Sequence, residues 1–491
     1  VNIDWSNPWA IAWAAVVLAE LALRLVLVGV VIARRMNVGE AFAWIIALLL
    51  LPVAGSLFYL IAGERKLGSR RLRRYNQLTG HLVQPAIAAW LQRDQDWSSF
   101  NHPWAPIARY GTGVCGMPPL RGNRWSVLDD SQAFLASIIS DVDQAREHVH
   151  LLTYIYDPVR QGIELGEALC RAAKRGVACR VLVDGVGSRK FLRSDICARM
   201  RVSGVQVVEA LPVNLFRLAL QRVDLRNHRK IVVIDGRVGY VGSQNITDDL
   251  YNKGVLKRFK RWKDASARVE GPIAQALQVV FLRDWQLDAP ETIASMDAFL
   301  PDLGALNEDG AAMQVLPSGP GDTPRAIHQA MLMCAFSARE ELILTTPYFV
   351  PDEPMLEALV AAATRGVAVT LVVPERSDAP VVCAAGRSHY PELLDAGVRI
   401  MLYRGGTLHS KTLTVDRRLA MIGSANLDQR SFWLNFEVTL LGYNAAFCEE
   451  VRVVQQKYVG GAIGLEANWW ARRPRLARAG DSLARLLSPL L

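Results

Sequence analysis

The stretch NHRKIVVIDGRVGYVGSQN, residues 227–245, sets His228 and Lys230 two apart, follows them with Asp235 and closes on Gly242-Ser243-x-Asn245. LHSKTLTVDRRLAMIGSAN, residues 408–426, repeats the pattern with His409, Lys411, Asp416 and Gly423-Ser424-x-Asn426 at identical offsets. In a strand, residues i and i+2 project from one face, so His228 points with Lys230 and His409 with Lys411. IVVI at 231–234 continues a buried strand, and Asp235-Gly236 is a turn signal that closes a hairpin. The returning arm VGYVG brings Ser243 and Asn245 back beside the starting residues. Each copy thus presents an imidazole, an ammonium and an amide at one point.

The repetition extends outward. AREHVHLLTYIYDP (145–158) matches AREELILTTPYFVP (338–351), and both are short β-branched apolar runs of the kind buried strands use. ELGEALCRAAKRGVACRVLVDG (164–185) matches PMLEALVAAATRGVAVTLVVPE (354–375), each an amphipathic helix, a basic-Gly stop and another buried strand. The spacing predicts an α/β fold of two β-α-β sandwich halves, residues 111–300 and 301–464, related by a pseudo-twofold axis. One H-x-K-x4-D alone is as well explained by chance; two in matching places of a longer repeat are not.

Joined about that axis, the halves set two imidazoles facing each other over two lysines and two asparagines. The set suits a phosphodiester. Lysines and asparagines hold non-bridging oxygens. One imidazole attacks phosphorus, and the other protonates the leaving oxygen and later deprotonates the incoming nucleophile. The nucleophilic imidazole must be neutral and fixed in tautomer, which a carboxylate on its second nitrogen achieves. No metal-ligand cluster is visible and no cofactor is expected. His81, His102, His148, His150, His328 and His389 read as structural or exposed.

Composition adds a membrane. Of 491 residues, 51% are hydrophobic and the net charge is +9; the mean hydropathy is +0.14, apolar for a soluble enzyme. A basic excess fits an anionic partner, nucleic acid or acidic lipid. Seven scattered cysteines without a C-x-x-C pair point to a reducing compartment and no structural zinc. Residues 9–33 and 41–62 are each long and apolar enough to span a bilayer, and predict a two-helix anchor over 1–64. Glu20 and Arg24, one turn apart in the first run, can pair with each other. A cleaved signal peptide does not fit, because the first run lacks a basic n-region and a second follows. Val1 fits an alternative start codon or a trimmed terminus.

ERKLGSRRLRRY after the second run is more basic than the ARRMNVGE between the runs, which places both termini and the catalytic body in the cytoplasm. Residues 65–110 read as a basic linker whose Trp90, Trp97, Phe100 and Trp104 rest at the membrane interface. The segments 211–224 and 252–264, and the basic amphipathic tail 465–491, suit either an anionic bilayer or ordinary packing on the body.

The two H-x-K-x4-D segments resemble those of the phospholipase D superfamily. LRNHRKIVVIDG (225–236), TTPYFVPDE (345–353), PSGP (317–320), GRSHYPELLDAGV (386–398), GSANLDQRSFWLNFE (423–437) and LLSPLL at the end are similar to its bacterial cardiolipin synthase group, over essentially the whole chain. TYIYDP departs from that group, which more often has a second tyrosine there.

The resemblance implies joining of two phosphatidylglycerols into cardiolipin with release of glycerol, through a phosphatidyl-histidine. It implies catalytic roles for His228, Lys230, His409 and Lys411. His228 is the expected nucleophile and His409 the acid then base, with the reverse open. Asn245 and Asn426 would bind phosphate with Ser243 and Ser424 beside them, and Asp264 and Glu437 would orient the histidines. Asp235 and Asp416 complete the motifs and brace the hairpins. The partners implied are phosphatidylglycerol and anionic lipid of a bacterial inner membrane, not nucleic acid, and self-assembly is compatible with the sequence. A hydrolytic phospholipase D, a phosphatidyltransferase using phosphatidylethanolamine, a superfamily nuclease and a catalytically silent scaffold are the competing readings.

Overall fold

A computed structural model of the chain describes residues 8–34, 38–63, 69–78, 104–212, 224–248, 261–291, 295–321 and 323–488, with isolated positions 80, 84, 87, 88 and 293. It divides into two compact units, the first of Val1–Ser69 with Val213–Asp224 and the second of Arg70–Pro212 with Leu225–Leu491.

In the first unit, α1 (Pro8–Ala33) is a continuous apolar helix, long enough to cross a bilayer. The expected second span over 41–62 is instead two helices, α2 (Val38–Leu50) and α3 (Ala54–Ala62). Pro52 explains the break. It has no N–H to donate and its ring clashes with the preceding turn, and Val53 swings to a φ of 58°. The Val53 N–H left over by the break is taken by Glu20, whose Oε1 accepts it at 2.9 Å. Glu20 also pairs with Arg24, as the spacing predicts. The Glu20 carboxylate in α1 therefore caps a helix break in the neighbouring segment. Leu27, Val31, Trp44, Leu48 and Tyr59 form the packing between these helices.

The second unit holds the duplicated body. Its first half contains β1 (Leu120–Leu128), β2 (His148–Thr153), β3 (Ala178–Asp184), β4 (Gln206–Ala210), β5 (Ile231–Ile234), β6 (Val238–Gly242), β7 (Trp262–Lys263) and β8 (Ser266–Glu270). The second contains β9 (Ala311–Ser318), β10 (Glu341–Thr345), β11 (Ala368–Pro374), β12 (Arg399–Tyr403), β13 (Thr407–Leu408), β14 (Thr412–Val415), β15 (Leu419–Gly423), β16 (Glu437–Gly442) and an edge strand, β17 (Ala462–Gly464). The first half runs β4-β3-β2-β5-β6-β8-β1 and the second β9-β16-β15-β14-β10-β11-β12, so one is the mirror of the other in strand order. Strands β2, β3 and β4 are parallel, as β-α-β crossovers require, and β5 and β6 add as an antiparallel hairpin. The halves join edge to edge through β1 and β9, and β6 also packs on β15 and β16 across the seam. Helix Pro272–Asp288 is buried from Ile273 to Leu287 and packs on β1, β6 and β9, so it belongs to the core of both halves.

The segment 65–110 is not wholly a linker. Helix Ser69–Leu78 buries Tyr75 under the Arg283 guanidinium, 4.6 Å from the ring, and Arg71 pairs with Asp288. Helix Ala105–Cys115 starts on Pro106, where a missing N–H costs nothing. Its neighbour Trp104 is packed with Ile107 and Ala108 into the core of the second half, against Leu316 and Ile327. Trp104 is thus a core residue rather than an interfacial one. The expectations for Trp90, Trp97 and Phe100, for most of 211–224 and for 252–260 lie outside the described residues.

His148 and His150 sit on β2 facing helix Pro272–Asp288. His150 stacks on Phe281 at 4.6 Å, with Gln278 Nε2 2.6 Å from Nδ1 and Arg180 Nη1 3.2 Å from Nε2. Burial holds His148 at about 4, against the pull of Asp235, and His150 well below the usual histidine range. Both are neutral at pH 7 in the fold, whereas in the unfolded chain each binds a proton near pH 6.5. The unfolded state then holds more protons, so this stabilisation is complete above pH 6.5 and is lost as pH falls toward 4. Thermal melts of the purified chain between pH 7.5 and 4.5 should show Tm falling as pH drops through that window. A flat profile would contradict neutral burial of these rings.

Candidate active site

Each H-x-K segment enters the site by pairing with the other half. His228 N–H donates to Phe436 O at 2.9 Å, and Asn227 bridges Phe436. In the second half β13 pairs with β7, and the His409 N–H donates to Lys263 O at 2.8 Å. Phe436 and Lys263 each immediately precede a carboxylate, Glu437 and Asp264. The backbone pairing therefore brings each histidine to a carboxylate of the opposite half.

His228 Nδ1 lies 2.9 Å from Glu437 Oε1, and His409 Nδ1 lies 2.6 Å from Asp264 Oδ1. The serines complete the cross. Ser243 Oγ donates to Asp264 Oδ1 at 2.6 Å, and Ser424 Oγ donates to Glu437. A carboxylate only accepts, so each Nδ1 carries the proton and each Nε2 presents a lone pair.

Lys230 and Lys411 each donate back to the carbonyl of the histidine two residues before, at 2.6 and 2.5 Å. Asn245 Oδ1 accepts from the Ile155 N–H at 3.1 Å, and Asn426 Nδ2 donates to Asp428 Oδ2 at 3.2 Å. The two histidines, two lysines, two serines, two asparagines and two carboxylates are all buried. The serines sit behind the histidines, holding the carboxylates, rather than at the same level as the lysines.

Asp235 and Asp416 stand apart at the hairpin tips. Asp235 accepts from the N–H groups of Arg146, Glu147 and His148, and Asp416 from those of Arg339, Glu340 and Glu341. These bonds hold Asp235 at a φ of 50° and Asp416 at 48°, with Gly236 and Arg417 also at positive φ as the tight turn demands.

Burial dominates the electrostatics. It lowers His228 to about 3 and His409 to about 4, against the pull of Glu437 and Asp264. It also lowers Lys411 to about 8 and Lys230 further below the usual lysine range. Burial pushes Asp264 the other way, but His409, its hydrogen bond and Lys411 outweigh it and hold the carboxyl at about 2. Glu437 is likewise held low, by His228 and Lys230 against burial. The Glu437 and Asp264 carboxylates pull both lysines back up without outweighing burial, and an anionic phosphodiester placed over them would add to that pull.

Other residues complete the site. The Tyr154 ring packs 4.9 Å from His228 and lies 5.5 Å from Lys230 Nζ, while Trp262 packs 4.6 Å from His409. Asn435 Nδ2 donates to Glu437 Oε1 at 3.3 Å. Arg229, between the two motif residues in the segment just before β5, points away from His228 and Lys230 and is fully buried. Its guanidinium reaches Asp284 Oδ1 at 2.5 Å and the carbonyls of Glu437 and Ser318 at 2.9 Å. An arginine at an inward strand position demands a buried partner, which was the available signal. The partner, in FLRDWQ of the long helix, is too distant in sequence to be identified without the fold. No group of His, Cys, Asp and Glu with metal-binding geometry occurs among the described residues.

Residues 138–285 and 332–458 match the family described as cardiolipin synthase, PLD-like domain, and residues 22–64 match the phospholipase D-nuclease N-terminal family. Cardiolipin synthase A of Serratia proteamaculans is 39% identical over 472 residues, covering 94% of this chain and 95% of the relative. Cardiolipin synthase A of Yersinia pseudotuberculosis is 38% identical with the same coverage. Among solved structures, phosphatidylserine synthase of Haemophilus influenzae superposes with a TM-score of 0.59 at 16% identity, covering 78% of this chain and all of the other, a likeness of fold.

Proposed function

The chain belongs to the cardiolipin synthase family of phospholipase D-like proteins, and we propose that it transfers a phosphatidyl group from one phosphatidylglycerol to another. The single observation that carries the mechanism is the pair of crossed histidine–carboxylate contacts. Each gives an imidazole whose Nε2 is ready to attack or to exchange a proton.

In the first step the negative charge of the bound phosphodiester, added to that of Asp264, favours protonation of His409 Nε2. His228 Nε2 attacks phosphorus, the bond from phosphorus to the glycerol oxygen breaks, and His409 gives that oxygen its proton. Glycerol leaves. In the second step His409 Nε2 takes the proton from the terminal hydroxyl of a second phosphatidylglycerol. The oxygen attacks phosphorus, the P–N bond breaks, and cardiolipin is released with His228 restored. Asp264 stabilises the imidazolium that His409 becomes, and Glu437 does the same for phosphorylated His228. Lys230 and Lys411 balance the non-bridging oxygens, joined by Nδ2 of Asn245, whose Oδ1 is already committed to backbone.

The test is mass spectrometry of products from purified protein and phosphatidylglycerol vesicles. Cardiolipin with equimolar glycerol supports the transferase. Phosphatidic acid without cardiolipin would replace it with a hydrolase, and dependence on added phosphatidylethanolamine would change the substrate pair.

The membrane reading rests on α1 and the N-terminal family match. We place the α2–α3 pair in the bilayer as well, with the body on the cytoplasmic side by the charge count. Labelling of a cysteine introduced at Asn37 by an impermeant reagent on intact cells would support that side, and labelling only after lysis would reverse it.

A further inference from the structure

We propose that the C-terminal helix Arg475–Arg485, with Trp469 ahead of it, is an interfacial element that seats the catalytic body on an anionic bilayer surface. The inference rests on the reading that the substrate is a bilayer lipid.

Leu476 is 87% exposed, Leu483 66% and Leu487, in the turn that follows, 45%. With Gly480 they fall at i, i+4, i+7 and i+11, which is one stripe of a helix. Trp469, just before the helix, is 60% exposed while its neighbour Trp470 is packed inward on Tyr390. A stripe of leucines and a tryptophan left in water costs free energy that a lipid interface recovers.

The charges name the kind of surface. Arg472, Arg475, Arg478 and Arg485 surround the stripe. The only acid between Ala467 and Leu491 is Asp481. It is turned inward, its side chain 5% exposed, and bridges Arg387 at 3.0 Å and Arg473 at 2.7 Å. The outer surface of the helix is therefore leucine and arginine without an opposing carboxylate. That composition complements a negatively charged headgroup layer, such as the phosphatidylglycerol this family consumes.

The helix is also fixed to the site. Its inner face docks on helix Pro380–Arg387, where Ala484 packs with Val350 and Ala385. The Val350 N–H donates to Leu427 O at 2.7 Å, and Leu427 follows Asn426 of the second motif. The helix that carries the leucine stripe is thus tied, through Ala484 and Val350, to the segment that carries Asn426. Free membrane affinity is not the need of a chain with its own apolar helix; orientation of the cleft to the lipid plane is.

Two measurements on the full chain test this. The first compares cardiolipin formation in bilayers with that from monodisperse short-chain phosphatidylglycerol. Leu476→Glu with Leu483→Glu, at exposed positions the fold tolerates, should lower the bilayer rate about tenfold and leave the short-chain rate unchanged. An unchanged bilayer rate, an equal loss in both assays, or a loss that tracks dissociation of a dimer would overturn the proposal, the last in favour of a second copy as the occupant. The second measurement does not need turnover. Brominated-chain phosphatidylglycerol should quench a component of tryptophan emission that disappears in Trp469→Phe and shrinks in the double leucine variant. Equal quenching in all three chains would overturn the proposal even if the protein makes no cardiolipin, while failure of wild type to make cardiolipin with quenching intact would sink only the transferase reading.

Discussion

Glu437→Gln is expected to lower cardiolipin formation by about four orders of magnitude, close to the effect of removing His228, with the melting temperature little changed. The substitution preserves shape. What it loses is the charge and the acceptor-only character of the group against His228 Nδ1. A glutamine can turn its amide nitrogen to Nδ1, which moves the ring proton to Nε2 and removes the lone pair that attacks phosphorus. It also removes the negative charge that offsets the ring's charge once the P–N bond forms. Asp264→Asn should do the same to His409.

The two variants separate when the leaving group needs no proton. With phosphatidyl-p-nitrophenol as donor, release of nitrophenolate should survive in Asp264→Asn, because the acid is no longer required for the first step. It should stay lost in Glu437→Gln, because the nucleophile is. The reverse result would exchange the roles of the two histidines. Near-wild-type cardiolipin synthesis by both variants would remove the carboxylates from the mechanism.

The reason these carboxylates were harder to read than the motifs is geometric. His228 and Lys230 announce themselves because a strand's period of two is local, and one short stretch of sequence contains the whole signal. The hairpin tips were equally legible, since Asp235-Gly236 needs positive φ and the fold puts it there. Glu437 and His228 are brought together by a pairing between halves, through Phe436, that no local pattern encodes. A resemblance supplied the two positions, but not that each serves the other half. The same holds for Ser243 and Ser424, whose place beside the asparagines in sequence suggested phosphate, whereas their hydroxyls turn to Asp264 and Glu437.

Length and hydropathy were informative for α1 and not for the continuity of 41–62, because hydropathy is blind to a proline. Pro52 breaks that run into two helices, and Glu20, read from the sequence as a partner for Arg24, also accepts the N–H that the break frees. Trp104 failed for a similar reason: an aromatic in a basic stretch is equally a belt residue or a core residue, and packing against Leu316 decides it.

Arg229→Met is expected to cost about 3–5 kcal/mol of stability, because it strands the Asp284 carboxylate in a dry interior. Arg229 and Asp284 are 0% and 1% exposed and 2.5 Å apart. The arginine also ties the carbonyls of Ser318 and Glu437, on β9 and β16, to the segment that carries His228 and Lys230. Two effects are therefore mixed in the single variant, and a charge-removing partner separates them. In Arg229→Met with Asp284→Asn, no unpaired charge remains, and the amide oxygen can still accept from Asn227, which now donates to Asp284 at 2.8 Å. Thermal melts should recover most of the lost stability in the double variant.

Activity should not recover with it, because the tie from Arg229 to the Glu437 carbonyl, which helps set the carboxylate against His228, is still missing. The deficit should fall on kcat rather than KM, since Lys230, Lys411 and Asn245, the residues proposed to hold phosphate, are untouched. Recovery of both stability and kcat would make Arg229 a packing residue alone. A single variant that melts like wild type would mean the pair is not buried as a charged pair at all.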